Sequence, residues 1–276
     1  MKTIKARHKL IPAIIMLIVA AITMSTASYA WFTMSNRVEV AGINLSVVAP
    51  TNILIREKDK GAAFANSVAL DSTSLGFGKL MHASSTKGLE FFTISETDAR
   101  EANPATGALS GTPTLVSATT SAAGLVDGYY VDFQLELVNT GGEEVDVGLD
   151  NLVITGVTTS AADSLDIINA VRIAILDEDK TENLATADSI FAKDLTPAYA
   201  YVDENTTSPT TPIASQTTTA LLTLEADGVA KTDAPEGTTI ITVRVWIEGQ
   251  DADCITANAG ASFNIEFELV VIDVID

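Results

Sequence analysis

His8 and His82 are the only two histidines in 276 residues, and Cys254 is the only cysteine. Zinc centres draw three or four ligands from His, Cys and carboxylates, and a Ser-His-Asp triad needs a histidine beside its nucleophile. His8 lies in a basic N-terminal stretch, which leaves His82, read as an exposed loop residue. Ser84-Ser85-Thr86-Lys87 contains the Ser-x-x-Lys spacing of some acyl-transfer enzymes. That chemistry requires the serine to open a helix. Here it sits in a Ser/Thr-rich stretch beside Gly88 without partner motifs, so chance explains the match, and no glycine-rich phosphate cradle occurs.

Two acidic clusters, Asp177-Glu178-Asp179 and Asp251-Ala252-Asp253, offer the oxygen ligands that Ca²⁺ takes from loops. Alternate carboxylates at Asp251 and Asp253 can point one way from a turn, which makes them the candidate calcium ligands. No ligand ladder follows either cluster, so solvated loop charges and no metal are expected. Cys254 reads as a small buried hydrophobe whose acidic neighbours raise its pKa. No catalytic residue, cofactor-binding residue or cofactor is expected, and the chain reads as a non-enzyme.

The charge balance narrows the partners. Lys+Arg total 16 against 36 Asp+Glu, a formal net charge of −20. Lys2, Lys5, Arg7 and Lys9 precede any acid, so without them 12 bases face 36 acids, or −24. Such a surface repels phosphate backbones, and no nucleic-acid partner is expected. An apolar content of 47 % is enough for a sizeable core. A single cysteine excludes an intramolecular disulfide framework.

Those few reactive residues must be carried by some scaffold, and the chain begins with a segment that is not part of it. Basic residues 1–9 lead into the apolar run Leu10–Met24, and small residues follow as far as Ser28-Tyr29-Ala30. This is the pattern of a secretory signal peptide. Ser28 and Ala30 occupy the −3 and −1 positions, so cleavage between Ala30 and Trp31 is expected. Residues 1–30 are then the signal peptide and 31–276 a single secreted domain, with a transient membrane association before cleavage. The alternative is a retained anchor, since no charge occurs from Leu10 to Asn36 and about 20 apolar residues span a bilayer.

Beyond residue 36 the dominant period is two, that of a strand with one face inward. Val131, Phe133, Leu135 and Leu137 alternate with polar residues, as do Ile241, Val243, Val245 and Ile247, and Phe263, Ile265, Phe267 and Leu269. Further strands are expected at Val38–Val48, Asn52–Arg56, Glu144–Ile154 and Val171–Leu176, and Asn139-Thr140-Gly141-Gly142 is expected to turn a hairpin. Trp246 lies off the apolar parity of its strand and is expected to be covered by an insertion. Short helices are expected at Ala161–Ala170 and Asp188–Lys193, and long loops at Ser95–Gly124 and Asp203–Ala220, the first with an edge hairpin around Thr114–Ala118. The fold class is therefore all-β, an antiparallel β-sandwich of jelly-roll type with short helices in its loops.

Three segments carry a family resemblance. Ala27-Ser28-Tyr29-Ala30-Trp31-Phe32-Thr33-Met34-Ser35-Asn36 ahead of Val38–Val48, Val131–Asn139 ahead of Thr140-Gly141-Gly142, and Val243–Cys254 together resemble the TasA/camelysin-type secreted proteins of Gram-positive bacteria. The resemblance implies processing by a SipW-type signal peptidase and a jelly-roll subunit that polymerises head to tail with itself into biofilm-matrix fibres. It also implies donor-strand assembly through the freed N-terminus. Trp31–Val40 is the segment concerned, and in it Phe32, Met34, Val38 and Val40 share one parity, enough to fill an apolar groove. Camelysins bear a metalloprotease label, for which this sequence supplies no zinc-ligand set. The alternative function is a monomeric, adhesin-like surface module held by the uncleaved anchor.

Overall fold

The computed structural model describes residues 39–40, 42–71, 79–94, 101–102, 109–110, 115–117, 128–157, 166–197, 211–226, 238–254 and 261–275. Ala30, Trp31, Phe32, Met34 and Val38 lie outside them, as do the first five residues of the helix expected at Ala161–Ala170.

Among the described residues fifteen strands alternate with turns: β1 (Glu39–Val40), β2 (Gly42–Val48), β3 (Ile53–Glu57), β4 (Ser67–Asp71), β5 (Leu80–Met81), β6 (Phe92–Ile94), β7 (Glu101–Ala102), β8 (Leu109–Ser110), β9 (Leu115–Ser117), β10 (Tyr130–Asn139), β11 (Glu144–Val157), β12 (Val171–Leu176), β13 (Leu222–Leu224), β14 (Thr239–Ile247) and β15 (Ser262–Ile275). A short helix, α1 (Ile167–Ala170), precedes β12. Four strands form a sheet in the order β12-β14-β10-β3, five form another in the order β13-β11-β15-β2-β4, and β1-β5, β6-β9 and β7-β8 are small pairs. The expected all-β sandwich is what the chain adopts.

Alternation builds this core. Phe133 and Leu135 of β10, Val243 and Val245 of β14, Ile43 and Leu45 of β2, and Phe263 and Ile265 of β15 all join one buried cluster between the sheets. One pairing departs from the antiparallel expectation: β2 runs parallel to β15, with Gly42 opposite Ser262 and Val48 opposite Glu268. A parallel pair needs a long connection. Here nearly the whole domain supplies it.

Three other expectations change. Asn139-Thr140-Gly141-Gly142 is a corner between sheets, not a hairpin, because β10 pairs with β14 and β3 while β11 pairs with β15 and β13. The Asn139 side chain makes the corner by accepting the Gly141 N–H at 2.8 Å and donating to the Glu143 carbonyl at 2.7 Å. Asp188–Lys193 is not a helix: a 3₁₀ turn at Thr186–Asp188 ends there, and Phe191 then bridges Ile173 and Ile213 in extended form. Burying Ile190, Phe191 and Ala192 against the edge of β12 outweighs so short a helix. Val38–Val48 is not one strand either, since β1 pairs with β5 whereas β2 joins β15 and β4.

β14 was expected to be half-buried, yet Ile241–Ile247 is buried on both faces. A second apolar cluster explains it: Ala83, Phe91, Ala174, Leu176, Ile190 and Trp246 pack on the side of the sheet away from the main core. Trp246 is fully buried beneath the segment around Ala83–Phe91, as its off-parity position suggested, with Phe91 edge-on at 5.3 Å. Gly88 allows this lid to close. Its φ is +80°, and a Cβ there would lie 2.4 Å from the Ala174 Cβ. Gly88→Ala is expected to cost about 2–4 kcal/mol, adding left-handed strain to an overpacked contact, measured by urea unfolding. A loss below about 0.5 kcal/mol would show that the lid can move aside.

Candidate functional site

The turn that follows β14 gathers several of the buried polar groups among the described residues. Glu248, Gln250 and Asp251 are all at most 3 % exposed, and Arg172, the one charge in the apolar run of β12, is wholly buried opposite them. Arg172 Nη2 donates to Asp251 Oδ2 at 2.6 Å, while Nη1 donates to the carbonyls of Asn169 and Val171 at 2.6 and 3.1 Å. Asp251 Oδ1 accepts the Asp253 N–H at 2.9 Å, and Asp253 Oδ2 accepts from Asn169 Nδ2 at 2.9 Å. Burial pushes the Asp251 carboxyl above its ordinary range against the pull of the Asp253 amide and of Arg172.

Asp251 is therefore not a solvated loop charge, and Asp253 is half-buried. Asp251 is committed to a guanidinium and Asp253 to a side-chain amide, and a second cation beside Arg172 would be repelled. Among the described residues no group of three or more His, Cys, Asp or Glu is placed to hold a metal ion. Cys254 packs against the main core, and burial, with Glu248 and Asp251 adding to it, holds its thiol protonated.

The other sequence candidates are also placed. His82 is half-buried, not exposed: its ring lies against the turn, where a Cβ on Gly249 would be 3.0 Å from His82 Cδ2. Ser84 and Ser85 are buried in an extended strap whose Ser84 N–H bonds the Phe92 carbonyl at 2.8 Å, and Lys87 turns outward to Asp188 at 3.6 Å. The helix start that Ser-x-x-Lys chemistry needs is not there. Asp177 caps its own turn. Although desolvation raises its pKa, bonds from the Glu182 and Thr181 amides and the Thr181 hydroxyl prevail and hold the carboxyl below its usual range.

Sheet edges form the second candidate site, since an edge is where another chain can pair. The four-stranded sheet protects its own. β12 is bridged by Asn183 and Phe191, and β3 by Ala65. In the five-stranded sheet β15 keeps β11 alongside as far as Ile275, yet its ladder with β2 ends at Glu268, seven residues earlier. The chain leaves β2 there because the Ala49 N–H bonds the Asn66 carbonyl and Ile53 starts β3 in the other sheet. In this overhang Leu269 is buried while Val270, Val271 and Ile272 are half-buried, so backbone edge and partly exposed apolar side chains occur together.

Val40, counted among the donor-strand residues, is paired within its own chain: it lies opposite Leu80, and Glu39 opposite Met81. Leu80 and Met81 are followed directly by the strap on the turn, so β1 is held by the domain itself.

No family model, no curated protein and no solved structure matches this chain.

Proposed function

We propose that this chain is a secreted, non-enzymatic structural subunit that a SipW-type signal peptidase releases at Ala30–Trp31 and that polymerises into extracellular fibres of the biofilm matrix. Residues 31–38 of one copy add to the five-stranded sheet of the next, in line with β2 and alongside Leu269–Ile275. The observation that carries this reading is the overhang of β15 past β2. Eight residues at about 3.3 Å each reach roughly 26 Å, against roughly 23 Å for the seven-residue overhang. Phe32, Met34 and Val38 share the parity that would set one apolar face beside half-buried Val271. Such a contact joins two different surfaces and does not close, so repetition gives a filament. The jelly-roll connectivity and the resemblance to TasA/camelysin-type proteins belong to the same proposal.

Hydrogen exchange read by mass spectrometry on monomer and fibre tests it. β11 already protects one side of Leu269–Ile275. In fibres the remaining amides of that stretch are expected to slow by at least about tenfold. Fibres in which Leu269–Ile275 exchanges as it does in the monomer would place the added strand elsewhere or exclude it.

A further inference from the structure

One guanidinium serves two carboxylates at the end of β14, and it serves them unequally. Arg172 meets Asp251 and two backbone carbonyls. Glu248, with no exposed surface, meets neutral donors: the Ser85 N–H and the Trp246 Nε1–H at Oε2, both 3.4 Å, the Gln250 N–H at Oε1, 3.1 Å, and the Ser84 hydroxyl. The groups that interact with it are Arg172 from β12, Ser84 and Ser85 from the strap, Trp246 from β14, and Gln250 and Cys254 from the turn. Ionised, Glu248 would share with Asp251 the one guanidinium that acts on both, in a low-dielectric interior.

The strap that touches Glu248 also holds the N-terminal strand. The Ala83 N–H bonds the Ile247 carbonyl at 3.0 Å, and the Gly249 N–H bonds the Ala83 carbonyl at 3.1 Å. Upstream the same backbone is β5, which pairs with β1. We propose that Glu248 is a proton-operated latch on the strap Leu80–Ser85: protonated, it keeps strap and β1 docked; ionised, its charge loosens the strap and releases β1.

The sign follows from linkage. Burial raises the pKa of Glu248, while the Ser84 hydroxyl, Arg172, the Gln250 amide and the Trp246 indole pull it back only in part. The folded chain thus holds a proton that the unfolded chain has lost above about pH 4.3. Stability from this group is complete below that pH and falls as pH rises toward the folded-state value. The latch acts within one subunit and does not rest on the fibre reading.

Trp31 and Trp246 are the two tryptophans, so Trp31→Phe makes fluorescence report the indole that touches Glu248. In the secreted chain a pH titration at constant ionic strength is expected to show a one-proton transition. On its alkaline side exchange in Leu80–Ser85 should quicken by about tenfold or more after correction for intrinsic rates. Glu248→Gln should abolish both changes. Ser84→Ala should move the midpoint to higher pH, because the hydroxyl favours the charged form. A parent without a transition, or a transition that survives Glu248→Gln and so belongs to another group such as His82, would overturn the proposal. Should Glu248→Gln not fold, an unmoved midpoint in Ser84→Ala would overturn it equally.

Discussion

Removing residues 31–36 from the secreted chain should leave a folded monomer that forms no fibres. The domain keeps its stability because the described core begins at β2, where Ile43, Leu45 and Val47 are buried, and β1 still pairs with β5. What is lost is Phe32 and Met34, two of the three apolar residues ahead of β1 that share a parity. A strand added to an edge depends on backbone bonds for affinity and on alternate side chains for specificity, so shortening it by six of eight residues removes both. Size-exclusion chromatography and negative-stain microscopy would read assembly, and circular dichroism the fold. A synthetic peptide of residues 31–40 added to intact subunits should cap growing ends. If the shortened chain unfolds, the segment is an internal strand. If it still forms fibres, donor-strand exchange is not how this protein assembles.

Arg172→Met should lower thermal stability by roughly 10 °C. The substitution keeps most of the volume but leaves Asp251 without its ion-pair partner at a site 3 % exposed. Removing one member of a buried pair costs about 3–5 kcal/mol, and a domain of this size loses about 2–4 °C per kcal/mol. The double variant Arg172→Met, Asp251→Leu should regain most of the loss, since replacing a buried pair by apolar groups is often neutral. Added Ca²⁺ should leave the melting temperature of the parent unchanged. A calcium-dependent rise that disappears in Asp251→Asn would mean that the carboxylate binds a cation in preference to Arg172. A shift of less than about 2 °C in Arg172→Met would mean that water or a rearranged turn compensates for the missing guanidinium.

Much of the sheet content was legible because a strand records its environment locally: each inward residue is apolar, and the next is not. Val131–Leu137, Ile241–Ile247 and Phe263–Leu269 carry that record, and all three are strands with their apolar parity in the main core. Trp246 signalled a covering segment in the same way, by being large, aromatic and off parity. The site around Glu248 had a fainter signal. Arg172 stands alone in an apolar run, and a lone charge inside a strand needs a partner, but spacing within β12 says nothing about where that partner lies.

The residues by themselves determined an all-β chain, because composition and period are properties of neighbours along the chain. Tertiary structure alone decided that Arg172 meets Asp251 across 79 positions, that Gly42–Val48 runs parallel to Ser262–Glu268, and that Asn139–Gly142 turns a corner between sheets. It also decided that β14 is covered on both faces and that β15 outruns β2. Those outcomes depend on which distant segments reach one another. Many strands of similar alternation could satisfy the same hydrogen bonds, and only close packing of particular side chains over the whole domain selects one pairing.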